Sequence, residues 1–197
     1  MKTRIIPVLA TAVLASCGVL DPVEDRSVSH ILEAAAPART VTGSSPVIAV
    51  ARPSIPGYLD RQQLVTRSRA GNPVMNSNQI WAEPLDDGMA RVTAENLGRL
   101  RNSMNIQPVQ AFITIDYSHL LEVRVLRFDA DAAARNVVLE CTWTLQPVSG
   151  RIAPVRRFQT EVPIEDPWFT ATSAQHARVA AMNRALAELA AAIAPSL

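Results

Sequence analysis

The sequence predicts a single α/β domain in which a mixed, largely antiparallel sheet is flanked by two main helices, and three observations lead there. Pro84–Arg101 and Thr172–Ala194 carry apolar residues at the spacings of three and four that make a helix face. Between them, Leu120–Phe128, Asn136–Gln146 and Ile152–Ile164 are β-branched runs with short connections, the pattern of an antiparallel meander. The chain has 197 residues, 48% of them hydrophobic, which suits one core of ordinary size over residues 27–197. Scattered prolines and glycines and two cysteines exclude collagen-like, disordered and disulfide-scaffold classes. With 18 arginines and one lysine spread among 18 carboxylates, the formal charge is +1 and there is no basic stripe, so nucleic acid is not an expected partner.

Taken in order, the chain opens on an address. Lys2 and Arg4 precede the apolar run Ile5–Ala15, broken by Pro7. Residues 1–16 read as an export signal, too short for a bilayer-spanning helix of about 20 residues. Leu14-Ala15-Ser16-Cys17 resembles the bacterial lipobox. That resemblance implies a diacylglycerol on the Cys17 sulfur, cleavage before Cys17, and acylation of its amine, palmitate being the expected acyl group. A secreted protein with a chance cysteine there is the alternative. Each buried methylene contributes about 0.8 kcal/mol, and two or three chains hold a protein stably. The domain is therefore expected to be tethered to a membrane through residues 17–26, without spanning it. Losing Lys2 and Arg4 leaves 17 basic residues against 18 acidic, a charge of −1 that gives no electrostatic reason to lie flat on an anionic leaflet.

Ser27–Glu33 follows as a short strand, and Ala34–Pro46 as a loop rich in Ala, Pro, Thr, Ser and Gly. Val47–Val50 suits a buried strand stopped by Pro53 and Pro56. Gln63–Arg69 alternates, and Ala70-Gly71-Asn72-Pro73 turns it toward Val74–Asn76 as a hairpin. In Pro84–Arg101 the residues Leu85, Met89, Val92 and Leu100 share a face with Asn96. Pro84 suits the first helical position, Asp86 and Asp87 oppose the dipole, and Arg99 and Arg101 close the last turn. Gly88 and Gly98 each weaken the helix by up to ~1 kcal/mol, and close approach to a sheet would explain them. Asp129–Ala134 and Pro147–Arg151 connect the meander, and Pro154 and Pro163 place its third strand at an edge. The last helix begins with a capping-box pattern, Thr172 and Gln175, and turns Val179, Met182, Leu186, Leu189 and Ile193 inward. Its alanine-rich flanks permit tight packing on a second surface or reflect only alanine's helix propensity.

Recognisable chemistry is missing from this frame. No Gly-rich phosphate loop, metal-ligand spacing or Gly-x-Ser-x-Gly elbow occurs, and His30, His119 and His176 are far apart. The pairs Asp86-Asp87 and Glu165-Asp166 suit capping or solvation. Cys141, left without a partner once Cys17 is lipidated, reads as a small buried hydrophobe within a strand; an intermolecular disulfide is the alternative. No catalytic, metal or cofactor residue is assigned, and the protein is not expected to be an enzyme. Two segments stand out: Ser54–Arg61, with Pro56, Tyr58 and Leu59, and Asn78–Asp86, with Trp81, Pro84 and Leu85. Large apolar residues there, in what should be loops, either staple the loops to the domain or await a partner; physical grounds favour stapling, with Trp81 over the start of the helix.

The same residues carry a resemblance. Pro56-x-Tyr58-Leu59-Asp60-Arg61, then Gln63 and Val65, then Asn78-x-x-Trp81-Ala82-Glu83-Pro84-Leu85-Asp86 look like the auxiliary lipoproteins of ABC-type intermembrane transport systems, the paraquat-inducible operon's lipoprotein among them. The similarity runs through Val125–Asp129, Cys141–Leu145 and the closing helix, with His30-Ile31 standing where relatives often carry an aromatic pair. The resemblance implies a periplasm-facing, non-catalytic lipoprotein working beside an ABC transporter and a needle protein with the mammalian-cell-entry domain, in some relatives as a homo-oligomeric ring. Gly18 after the lipidated cysteine favours the inner leaflet of the outer membrane. Tyr58, Leu59, Trp81, Pro84 and Leu85 are then the docking candidates; a carrier binding a lipid or other hydrophobic ligand in the periplasm is the alternative.

Overall fold

Strand β6 (His119–Asp131) organises the sheet, because almost everything else pairs with it or with its neighbours. In this computed structural model, residues 26–37, 46–109, 116–150, 152–165 and 171–197 are described, with the side chains of 171–173 left aside. The signal, Cys17, most of the tether, residues 38–45 of the expected loop, Asp166 and the Thr172 cap therefore lie outside the described residues. The remaining elements are β1 (Val28–His30), β2 (Ile48–Val50), β3 (Gln63–Arg67), β4 (Pro73–Trp81), α1 (Leu85–Arg101), β5 (Ile106–Pro108), β7 (Asn136–Pro147), β8 (Arg156–Pro163) and α2 (Ala171–Ile193).

The meander stands as expected: β6, β7 and β8 pair antiparallel, and β8 is an edge strand. The other side of β6 is shared. Parallel to it run β2 at its start, Ser54 as a single bridge to Arg124, and β3 at its end, where Arg67 lies beside Asp131. β5 continues outward from β2, while β4 and then β1 continue from β3, so the sheet forks. The long ladders are antiparallel; the four parallel ladders hold two or three residue pairs each. β1 settles in register with His30 beside Trp81, so His30 is buried and Ile31 exposed.

A bulge sets the faces of β6. Leu121, Val123 and Val125 point into the core, the register shifts between Val125 and Arg127, and Phe128 and Ala130 then resume the buried face. Arg127, Asp129 and Asp131 are thereby turned the other way. This corrects the expectation that Asp129 opens a turn, since the strand runs on to Asp131. Helix α2 covers β6, β7 and β8, α1 packs on β2 and β5, and the helices pack on each other. Phe128, Leu139, Met182, Leu186, Leu189 and Ile193 fill the space between, each under 2% exposed.

Helix α1 begins at Leu85, with Pro84 just outside it in extended conformation, one residue from the first helical position expected. Its glycines face parts of the chain flanking the helix, not the sheet. A Cβ on Gly88 would lie 3.0 Å from the Glu83 Oε1, and one on Gly98 2.9 Å from the Ser103 carbonyl oxygen, where Asn102 turns left-handed and the Ser103 N–H donates to the Gly98 carbonyl. Gly98→Ala is accordingly expected to destabilise the domain by about 1 kcal/mol or more in urea unfolding, against alanine's helix propensity, because backbone oxygen cannot swing away.

Candidate functional site

Between Ser54 and β3 the chain leaves the edge of β6 near its bulge and makes a tight loop. Leu59, 2% exposed, pulls it into the core; the N–H groups of Leu59 and Arg61 donate to the carbonyls of Pro56 and Leu59, and Arg61 Nε donates to the Tyr58 carbonyl at 2.8 Å. Tyr58 is left half-buried over the polar face of β6, its hydroxyl donating to Asp129 Oδ2 at 2.9 Å. Asp129 is 1% exposed and also accepts from Arg67 (2.8 and 3.2 Å) and Arg127 (2.9 Å), while Arg127 reaches Asp131 at 3.0 Å. Burial alone would raise the Asp129 pKa; the hydrogen bonds from Arg67, Arg127 and Tyr58 overcome it and hold the carboxyl below its usual range.

Burial, and then the Asp129 charge, push the Tyr58 hydroxyl up to about 12. A group with a raised folded-state pKa stabilises below its unfolded value and loses that contribution as pH climbs to the folded one. Wild type is therefore expected to lose on the order of 1–2 kcal/mol between pH 10 and 12 that Tyr58→Phe does not, read from urea midpoints across that range.

The second motif ends β4 and starts α1. Asn78 through Trp81, expected in a loop, lie in the strand, because β3 and β1 pair on either side. Trp81 is 4% exposed; its N–H donates to the Gln62 carbonyl at 2.7 Å, and the Ala82 N–H to the His30 carbonyl at 2.8 Å. Glu83 pairs with Arg91, Leu85 is in the core, and Arg52 meets Asp86 and Asp87 at 3.5 and 2.5 Å. The two motifs thus come together around an open cleft of about 320 Å³, with Asp60, Arg61 and Gln62 on one wall and Trp81 through Leu85 on the other. Of the docking candidates only Pro84 is exposed; Trp81 and Leu85 line the cleft from inside, Leu59 is buried in the core, and Tyr58 is turned toward Asp129.

Sequence reasoning overlooked the Asp129 network, although Arg127-Phe128-Asp129-Ala130-Asp131 alternates charged with apolar residues as a strand does. Elsewhere, Cys141 is a buried thiol pushed up to about 12 by burial and then by Glu140, poorly suited to nucleophilic chemistry. His30 Nε2 lies 2.6 Å from Gln79 Oε1, with the His176 ring edge-on at 5.9 Å. Among the described residues no three His, Cys, Asp or Glu side chains are grouped to hold a metal ion, and no helix is long and apolar enough to cross a membrane.

No curated protein matches the chain. A crystal structure of an uncharacterized protein is 20% identical over 86% of this chain and 97% of its own, at TM-score 0.66. Protein XCC0632 from Xanthomonas campestris is 18% identical over 82% and 90%, at TM-score 0.64. Both share the fold. PelC from Paraburkholderia phytofirmans, solved as a dodecamer, is 12% identical over 81% and 92%, at TM-score 0.43. The family model of the ABC-type transport auxiliary lipoprotein component matches residues 30–194, from β1 to the end of α2. With that match spanning both loop motifs and both helices, the chain belongs to the family of ABC-type transport auxiliary lipoproteins.

Proposed function

We propose that the chain is a lipid-anchored, periplasm-facing accessory component of an ABC-type intermembrane lipid transport system, held at Cys17 in the inner leaflet of the outer membrane. It acts by docking the mammalian-cell-entry-domain needle protein and carries out no catalysis of its own. The observation that carries this reading is the meeting of the two motifs at one cleft, since the segments on either side of the β3–β4 hairpin are both spent on building a rigid surface feature. Trp81 and Leu85 fix the wall, while Asp60, Gln62, Ala82 and Pro84 offer the exposed rim. Such a buried wall with a polar rim is the anatomy of an anchor pocket in a protein interface.

Replacing rim residues separates docking from stapling. Asp60→Arg combined with Pro84→Ala should abolish copurification of the needle protein and leave the thermal midpoint within a few degrees; intact copurification would sink the reading. Mass analysis of the processed protein tests the anchor, which predicts a diacylglycerol and an acyl chain on Cys17. The carrier reading has less support, because the space between sheet and helices is filled by side chains such as Phe128 and Leu186. Native mass spectrometry without detergent would reveal a bound acyl species if it held.

A further inference from the structure

The forked sheet ends in three outer strands, and they are unequal. β1 and β5 have three residues each, whereas β8 has eight and pairs with β7 alone. A long bare edge is a template for another strand unless something blunts it. The Ile164 N–H donates to the Arg135 carbonyl at 2.9 Å, and the antiparallel register runs unbroken from Pro163 back to Arg156, so the bonds to β7 fall on Val162, Thr160 and Phe158. Arg157, Gln159 and Glu161 therefore aim both backbone groups outward, and among the described residues no strand lies there to take them. Pro163 shares the outward phase. Its missing N–H costs the β7 ladder nothing, and its carbonyl accepts from Arg184 of α2 at 2.6 Å, which closes the open row at Glu161.

The open row is complementary to itself. Laid antiparallel against a second β8, with Gln159 opposite Gln159, it sets Arg157 against Glu161 in both directions and Phe158 against Thr160 on the α2 side. Val155, 68% exposed just before the strand, then meets Pro163 of the second copy. Each outward pair exchanges both backbone hydrogen bonds at a Cα separation of about 5.5 Å. Sliding the register by two residues puts Arg157 against Gln159 or against Pro163, which has no donor, so the charges select one register. Within the chain Arg157 already donates to Glu140, and Glu161 accepts from Asn136. Neither contact exhausts its group, because a guanidinium carries donors on every nitrogen and a carboxylate lone pairs on both oxygens. The charges on the α2 side are engaged as well: Arg156 by Ser196 and the Trp143 ring, Arg184 by the Pro163 carbonyl, and Glu188 by the Thr160 hydroxyl.

We propose that β8 is the pairing edge for a second copy of this chain, joined two-fold and antiparallel about Gln159, so that the two sheets run on as one. Neither the Cys17 lipid nor the docking cleft takes part.

The test uses the chain from residue 17 onward carrying Cys17→Ser, free of lipid and detergent, in sedimentation velocity from micromolar to submillimolar concentration. The protein should pass from one copy to two as concentration rises. Gln159→Pro deletes a donor that β7 does not use and turns a ring toward the second copy; it should weaken pairing at least about 100-fold and leave the thermal midpoint within a few degrees. Should that variant unfold, charge reversal takes its place. Arg157→Glu alone and Glu161→Arg alone should each weaken pairing about tenfold, and the two together should restore most of it. A single copy at every concentration overturns the proposal, as does a double reversal that pairs no better than either single one. An assembly whose size no folded variant changes also overturns it, since its interface then lies elsewhere.

Discussion

Asp129→Asn is expected to destabilise the domain by about 3 kcal/mol in urea unfolding at neutral pH. Asp129 is 1% exposed and takes both guanidiniums and the Tyr58 hydroxyl, so the amide removes the counter-charge from Arg67 and leaves Arg127 with Asp131 alone, above a fully packed strand. Breaking a wholly buried pair costs about 3–5 kcal/mol; Arg67 and Arg127 are 24% and 26% exposed and recover some hydration, which places the effect at the lower end. The pH dependence has a definite sign. A carboxyl held below its ordinary pKa in the folded state stabilises above its unfolded value, near 3.8, and loses that contribution as pH falls through the folded one. Wild type should therefore weaken on acidification below about pH 4 more than Asp129→Asn does, and parallel acid profiles for the two would refute the role given to the carboxylate.

Trp81→Ala is expected to have the second large effect, a loss of about 3–5 kcal/mol in equilibrium unfolding. The indole is 4% exposed at the last position of β4, in the core cluster with Leu85 and Met89, and its truncation leaves a cavity at the junction of β1, β3 and α1. Loss of needle-protein copurification by Trp81→Ala would thus report unfolding rather than contact. Folding of Trp81→Ala with less than about 1 kcal/mol lost would overturn the stapling role and return the indole to the docking surface.

How far all this was legible in the sequence depends on how local each signal is. Both helices announce themselves through residues three and four apart, and the β6–β7–β8 meander through runs joined by short turns. β5 has three residues, one of them proline, and exists because β2 lies beside it; nothing in Ile106-Gln107-Pro108 says so locally. The extension of β4 through Asn78–Trp81 was hidden for the same reason, as its partners are β1 and β3. Asp129 reads as part of a turn because Asp129–Ala134 holds no β-branched or aromatic residue, and its place in the strand comes from pairing with β7 and β3. The motif residues of the candidate site were visible, but their convergence was not, since it hangs on pairings such as the Trp81 N–H with the Gln62 carbonyl.

The segment after β1 has one more consequence. Its backbone is gripped by side chains of both helices: Arg91 donates to the Leu32 carbonyl, Asn183 accepts from the Glu33 N–H, Arg99 donates to the carbonyls of Ala34 and Ala36, and Asn96 accepts from the Ala36 N–H. Tension arriving from the amino terminus runs along the axis of β1, so it loads these bonds and the β1–β4 ladder in shear, all together, instead of peeling them one after another. Were the amino terminus anchored in a membrane as proposed, such a mooring would yield as a unit.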